Sequence, residues 1–416
     1  MSNNTLIIIG NGMASNRVLE ELGSEHPFDS IQVLSDESIA HYNRIMLSPL
    51  LAGETTLEAI TAHDSQWYEE RRIQVHLQKS ASAIDTAAKQ VICADGERLS
   101  YQALIIATGS RSWIPALPGS NARNVIGFRT MRDVDTLFDN IPAIRHATVI
   151  GAGLLGVEAA VGLRAHGIDV TLVHRNPVLM NRQLDATAAS LLQMELEQRG
   201  IDVKAGFNPD QLQTDSSAQT VQTVTISNAR QKLKIDTGLV IFATGITPNK
   251  EIAESAGIAC AQGILVDEHM RTSAPQVFAL GECCEFNGNT YGLVAPIWDQ
   301  ARVLASLIQH PSDIQSGVRL SEPYQERQHL TKLKVSGVDI HSIGRYEAEE
   351  DDDVLELLDR QAGIYRKIIL RNDRIAGALC VGDVNDSQWY YELMDSSEAV
   401  TDIRSNLIFG RITLTG

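Results

Sequence analysis

The sequence predicts an α/β protein: two parallel-sheet units that each open on a glycine-rich turn, then a small α/β C-terminal domain. Three observations predict it. The apolar run Thr5-Leu6-Ile7-Ile8-Ile9 enters Gly10-Asn11-Gly12-Met13-Ala14-Ser15. The same pattern returns at Ala147-Thr148-Val149-Ile150-Gly151-Ala152-Gly153-Leu154-Leu155-Gly156. Each unit closes on an apolar strand ending in Ala-Thr-Gly, at Ala107-Thr108-Gly109 and at Ala243-Thr244-Gly245.

The elements justify themselves in order. A continuous apolar run suits a strand buried on both faces of a parallel sheet. Gly10 permits the tight turn, and Gly12 lets the backbone approach a pyrophosphate. That group then sits at the positive N-terminus of the helix that begins near Met13 and Ala14. Ser15 in place of a third glycine is a mild departure. The strand at residues 31–34 runs into Ser35-Asp36-Glu37, which puts Asp36 or Glu37 where a carboxylate accepts bonds from a ribose hydroxyl. In His41-Tyr42-Asn43-Arg44-Ile45-Met46-Leu47-Ser48-Pro49, the proline stops a helix from continuing and Arg44 can reach a phosphate or a ring oxygen. A short helix at residues 67–72 leads to a strand at residues 73–77. A polar hairpin follows, residues 81–85 to 90–93, headed by Ala81 and with Asp95-Gly96 as a turn signal. Residues 113–119 read as a linker.

In the second unit the strand at residues 169–173 runs into His174-Arg175. The place where an acid would favour NAD holds His174, and a cation follows at once, as expected for a site that accepts a 2′-phosphate. Arg182 is near enough in sequence to assist. A helix is expected from about Asp185 to Arg199. After Gly245 the first unit resumes. Residues 272–283 read as a strand running into Gly281-Glu282, with Glu282 placed to bond a ribityl hydroxyl. Val294-Ala295-Pro296-Ile297-Trp298 opens a helix whose positive end favours negative charge nearby. Residues 311–323 read as a polar linker. The C-terminal domain carries strands at 332–335, 364–370 and 375–381, with the acidic run 347–353 as a solvated loop. The expected division is 1–117 with 247–315 as one Rossmann-like dinucleotide-binding domain, 118–246 as the second, and 316–416 as the C-terminal domain.

Length and composition fit. The 416 residues suffice for two or three domains. Hydrophobic residues make up 44% and aromatics 5%, so the core should be aliphatic. The net charge of −17 disfavours nucleic acid and anionic membranes as partners. No apolar run approaches the roughly 20 residues a spanning helix needs, and a strand at Thr5 leaves no room for a signal peptide. The five cysteines show no metal-ligating or redox-pair spacing. A reducing, cytoplasmic setting is expected.

These residues resemble the two-dinucleotide-domain flavoprotein reductases. Within that group the chain is most similar to the N-terminal region of assimilatory NAD(P)H nitrite reductase large subunits. The likeness is carried by Ile8-Ile9-Gly10-Asn11-Gly12-Met13, Tyr42-Asn43-Arg44, Trp113-Ile114-Pro115, Gly281-Glu282-Cys283 and Leu293-Val294-Ala295-Pro296, and it continues through residues 331–339. Rubredoxin and ferredoxin reductases are more distant. They usually carry Lys beside the flavin where this chain has Pro49. No four-cysteine cluster follows, so no nitrite reduction is expected from the chain alone.

The resemblance implies FAD in the first unit, NAD(P)H in the second, and hydride transfer from nicotinamide to flavin. Electrons then pass to a redox protein: a nitrate reductase component, or a rubredoxin or ferredoxin. A non-enzymatic, redox-sensing flavoprotein is the reading from a different class. By the same resemblance Glu158 lies near the nicotinamide and Trp298 beside the flavin. A disulfide route is disfavoured, since residues 40–52 hold no cysteine. A homo-oligomer through the C-terminal domain is allowed.

Overall fold

The structure, a computed structural model, describes residues 4–309, 322–327, 330–335 and 338–411. The expected linker at 311–323 and the Ser336-Gly337 pair fall largely or wholly outside the described residues. The chain forms two compact units.

The first unit comprises residues 1–46, 55–111 and 246–327. Its parallel sheet runs in the order Val277–Ala279, Ala103–Ile106, Thr5–Ile9, Ser30–Leu34, Ile73–His76. Thr5–Ile9 is central in the sheet, Ile8 pairing with Val33 on one side and with Ile105 on the other, and is buried at every position, as a strand covered on both faces is. The helices Met13–Leu22 and Val294–Ile308 pack against each other. The 272–283 segment is strand only over Val277–Ala279. Upstream, Thr272 Oγ1 folds back to the carbonyl of Val277, and Gln276 takes a left-handed φ of 63°.

The second unit comprises residues 47–54, 112–245 and 328–416. Its parallel sheet has the order Ile201–Ala205, Asp169–His174, His146–Ile150, Leu239–Phe242, Val125–Gly127. An antiparallel sheet of Asn208–Thr214, Val221–Ser227 and Lys232–Asp236 is inserted before the closing strand. The short helix Leu47–Leu51 belongs to this unit, where it packs on Leu154–Ala165. A Cβ on Gly162 would lie 2.9 Å from Leu51 Cγ, so only glycine leaves room for that contact.

The C-terminal sheet is antiparallel, in the order Leu330–Val335, Val338–Gly344, Arg374–Val381, Ile364–Arg371, Asp353–Asp359. One face, with Ile343, Ile368 and Cys380, packs on the helix Ser387–Asp395. The acidic run 347–353 is more than a solvated loop. Asp352 Oδ1 accepts from Arg345 Nη2 at 3.0 Å and Arg371 Nε at 2.9 Å, and Glu349 pairs with the same two arginines. Two fixed guanidinium forks draw the carboxylates in.

Candidate functional site

Each unit holds its own glycine-rich turn. In the first, Gly10 has φ 107°, and a Cβ there would lie 2.2 Å from the carbonyl oxygen of Ala107. Only glycine permits that crossing. Gly12 is different: a Cβ there would come no closer than 3.9 Å to protein, at the Arg44 guanidinium. Its glycine leaves space that the protein itself does not fill. The helix that starts at Met13 has no side-chain cap on its N-terminus. In contrast, Asp64, Thr130 and Asp185 cap other helices of the chain. Ser15 Oγ donates to the carbonyl of Gly10 at 2.7 Å. Asn11 carries a buried side-chain amide whose Nδ2 and Oδ1 have no protein partner. A buried polar pair of that kind awaits a ligand or water.

The surrounding residues converge on this turn. Arg44 pairs with Glu37, whose other oxygen accepts from Tyr42 Oη at 2.8 Å. Of the two candidate ribose acids, Asp36 is exposed and Glu37 is engaged by Arg44, the arginine expected to reach a phosphate or a ring oxygen. His41 Nδ1 lies 3.3 Å from the Asn11 carbonyl, and burial pushes this imidazole down to about 4. Thr108 is locked by Asn249: Thr108 Oγ1 donates to the Asn249 carbonyl at 2.6 Å, and Asn249 Nδ2 returns a bond to the Thr108 carbonyl at 2.9 Å. The carbonyl of Gly109 accepts from the Asn249 amide at 2.9 Å.

Gly281 has φ 83° and sits so close to Ala14 that a Cβ would lie 2.9 Å from the alanine methyl. Its amide donates to the buried Gln300 Oε1 at 2.9 Å. Glu282 accepts from Ser110 Oγ at 2.9 Å. Pro296 lies in the first turn of Val294–Ile308, whose N-terminus also lacks a side-chain cap. Trp298 is 41% exposed, with the Arg17 guanidinium carbon 5.6 Å from its ring centre. Ala81 pairs with Cys93 in the hairpin and packs against the apolar core.

The second turn repeats the geometry. Gly151 also has φ 107°, and a Cβ there would lie 2.4 Å from the carbonyl of Ala243. A Cβ on Gly153 would meet nothing within 4 Å. Gly156 keeps the helix close: its Cβ would fall 1.7 Å from the carbonyl of Gly151. Leu154 and Leu155 form the first turn of a helix with no side-chain cap. Thr244 Oγ1 donates to the carbonyl of Trp113 at 2.8 Å, and the Trp113 amide donates to the carbonyl of Gly245 at 2.9 Å. Thus both Ala-Thr-Gly endings are locked by one residue distant in sequence, Asn249 in one unit and Trp113 in the other. Neither role was visible in the sequence.

His174 does not present a charge to solvent. Its Nδ1 accepts the Ala152 amide at 3.1 Å, so its proton sits on Nε2, 3.2 Å from Asn181 Oδ1. Burial pulls its pKa below the ordinary histidine value. The sequence places it where a 2′-phosphate would sit, and in the structure its ring braces the turn by accepting the Ala152 amide. Arg175 and Arg182 are exposed.

Glu158 is brought beside Ser48, which donates to Glu158 Oε2 at 2.6 Å. Burial pushes this carboxyl up to about 7, and the serine bond only partly offsets the shift. No cysteine shares the site. All five are free thiols, and Cys283 Sγ is bonded to the carbonyls of Ile106 and Leu280 inside the core. Burial raises both the Cys283 and the Cys284 thiol, which keeps them protonated and inert.

Comparison with known proteins agrees with this geometry. Residues 4–304 match the pyridine nucleotide-disulphide oxidoreductase family, and residues 330–398 match the rubredoxin NAD+ reductase C-terminal domain. The chain is 39% identical to the assimilatory nitrate reductase electron transfer subunit of Bacillus subtilis, over 97% of this chain and 50% of that protein. It is 37% identical to the nitrite reductase [NAD(P)H] of the same organism, over 97% of this chain and 48% of that protein. It thus spans about half the length of these relatives. The ferredoxin reductase for the CYP199A2 system from Rhodopseudomonas palustris shares the fold, with a TM-score of 0.85 at 24% identity over 98% of both chains. With two ligand-ready turns and a match over most of its length, the chain belongs to the pyridine nucleotide-disulphide oxidoreductase family, whose enzymes bind FAD and use NAD(P)H.

Proposed function

We propose that the first unit holds FAD and the second NAD(P)H, and that the chain passes electrons from the nicotinamide to a redox protein. The partner favoured is a component of assimilatory nitrate or nitrite reduction. One observation carries the reading: each turn leaves open space at its second glycine, Gly12 and Gly153, above an uncapped helix end. That is the shape a pyrophosphate fills. Bound FAD supplies the chemistry, taking a hydride and releasing electrons singly.

The protein's own residues bind and orient. The amides from Met13 to Ser15 and Arg44 receive phosphate, Asp36 or Glu37 the ribose, and Glu282 the ribityl chain. Ala81, Ala107, Thr108, Gly109, Gly281, Pro296 and Trp298 frame the flavin. Gly151 to Gly156, Thr244, Gly245, Arg175 and Arg182 frame the nicotinamide nucleotide, with NADPH accepted at least as well as NADH. Glu158 stands beside the nicotinamide as a carboxyl that Ser48 steadies and that exchanges its proton near neutral pH. The site offers a carboxyl and no redox thiol, so electrons leave to a partner rather than through a disulfide. The setting proposed is cytoplasmic; among the described residues no helix is long and apolar enough to cross a membrane.

A second reading, a rubredoxin or ferredoxin reductase, is favoured by the match of residues 330–398. Reconstitution separates the two. The protein, NAD(P)H and either an assimilatory nitrate reductase or a rubredoxin are mixed, and acceptor reduction is followed. Rapid rubredoxin reduction with no delivery to nitrate reductase would reverse the ranking. A protein that takes up no FAD would sink both.

A further inference from the structure

The C-terminal sheet turns its second face to one short loop of the second unit. Ser342, Leu379 and Lys367 lie in one row across three neighbouring strands, so their side chains share a face. Ser342 Oγ donates to the carbonyl of Gln183 at 2.8 Å, and Tyr346 Oη donates to that of Asn181 at 3.1 Å. Lys367 Nζ and Tyr365 Oη each donate to Asp185 Oδ2 at 2.9 Å. Lys367 is only 8% exposed, and Asp185 also caps the following helix through the Ala188 amide. A buried lysine so paired is placed there by the fold.

The pinned loop is the one that braces the second glycine-rich turn. Met180 has a left-handed φ of 48°, uncommon for a large side chain, and its amide donates to the carbonyl of Ala152 at 2.9 Å. Asn181 holds His174, whose ring accepts the amide of the same Ala152. Both backbone groups of the residue between Gly151 and Gly153 are therefore tied to that strained loop, the carbonyl directly by Met180 and the amide through His174, which Asn181 holds. That strain persists only if something holds the next residues, and Tyr346, Ser342 and Lys367 do so.

We propose that the C-terminal sheet is a positioning element for the nicotinamide nucleotide: through Ser342, Tyr346 and Lys367 it holds loop 180–185, and the loop sets the shape of the Gly151–Gly156 turn. The inference rests on the second unit being the NAD(P)H site. None of the three residues touches the nucleotide. They act through Asn181, Met180 and His174.

The test uses the FAD-loaded protein and the variants Tyr346→Phe, Ser342→Ala, the two combined, and Lys367→Met. The first two remove a single hydroxyl each and keep the fold. NADP+ and NAD+ affinity is measured by titration calorimetry. Hydrogen exchange of residues 176–185, flavin content and flavin reduction at saturating NAD(P)H are followed beside it. The expected result is a rise of about tenfold in the dissociation constant for Lys367→Met or for the double hydroxyl variant. Faster exchange in loop 180–185 accompanies it, while flavin content and the saturated rate hold. Affinities within about twofold of wild type in all variants would overturn the proposal. So would an equal fall in affinity, flavin content and rate, which is the mark of general destabilisation. Wild-type protein that binds neither nucleotide would instead refute the NAD(P)H assignment beneath it, and that outcome is read before any variant is made.

Discussion

The two glycine-rich turns are near copies, and their differences say which ligand stays and which one leaves. Both begin with a glycine at φ 107° crossed by an alanine carbonyl, and both have an open second glycine. They part at the residue between. Asn11 buries a side-chain amide with two unpartnered atoms, although its carbonyl is met by His41, whereas Ala152 has no polar side chain and both of its backbone groups are met by His174 and Met180. An unmet buried polar group costs about 1–3 kcal/mol, which a ligand that satisfies it gives back. The first turn is thus built for a resident group. The second keeps its open glycine and uncapped helix end but leaves no polar side chain unmet at that residue, as suits a co-substrate that departs each cycle. That contrast fits tightly held FAD in the first unit and exchanging NAD(P)H in the second.

Filling the open space should break the comparison most sharply. A Cβ at Gly12 would only touch the Arg44 guanidinium and one at Gly153 would meet nothing, so a valine at either place is expected to spare the fold and displace the ligand. Gly12→Val is expected to purify without flavin. Gly153→Val should keep its colour but lose NAD(P)H affinity by about a hundredfold, a value at the upper end for overpacking. Absorbance spectra and nucleotide titrations read both outcomes. A colourless Gly153→Val protein would show that the two turns are not separable.

The carboxyl at Glu158 sharpens the same contrast by pH. Its pKa is raised from an ordinary 4.5 to about 7. The folded state therefore binds a proton that the unfolded chain releases, and stability falls as pH rises between those values. A dihydronicotinamide gains positive charge as its hydride leaves, so an ionised Glu158 beside it would help. Flavin reduction should then rise through about pH 7 in wild type and lose that step in Glu158→Gln, with the limiting rate down about tenfold, below the usual acid–base range. A stopped-flow pH profile that keeps its step in Glu158→Gln would remove Glu158 from the reaction.

Much of this architecture can be read along the chain, because it is local. Buried parallel strands announce themselves as apolar runs, and a backbone that must cross a carbonyl demands glycine. What escapes is set by topology. Ser48 and Glu158 meet across a separation of 110 residues because Leu47–Glu54 packs into the second unit, and no local signal predicts that. The insert at residues 208–236 is antiparallel and largely polar, so it lacks the apolar run that marks the other strands. His174 occupies the motif position expected of a nucleotide contact. Its role as a brace depends on the rotamer and on Asn181, seven residues on.

With His174 bonded to the Ala152 amide, the exposed Arg175 and Arg182 are the cations proposed to set nucleotide choice. Arg175→Ala is expected to lower the NADPH/NADH ratio of kcat/KM about fivefold, the value of one solvent-exposed charge contact. Steady-state kinetics with both nucleotides decide it. An unchanged ratio would refute the assignment of Arg175 to the 2′-phosphate.

The smallest effect concerns the third position of each turn, Ser15 against Gly156. Gly156 has no room for a side chain, since its Cβ would fall on the carbonyl of Gly151. Ser15 stands at the matching place and has turned crowding into a bond, its hydroxyl donating to the carbonyl of Gly10 at 2.7 Å. Ser15→Ala removes that bond but keeps the Cβ the first turn already accommodates. The expected loss is about 1 kcal/mol, one net intramolecular hydrogen bond. Spread over so large a chain, it amounts to a shift of only a few degrees in Tm, roughly 2 °C. Flavin should be retained, because the hydroxyl is spent on the protein and not on the ligand. Thermal denaturation of apo and FAD-loaded protein separates the two cases. An equal shift in both makes Ser15 a strut of the turn. A shift confined to the loaded protein would mean that the hydroxyl reorients to the pyrophosphate, and the first turn would then owe part of its grip to the very residue that departs from glycine.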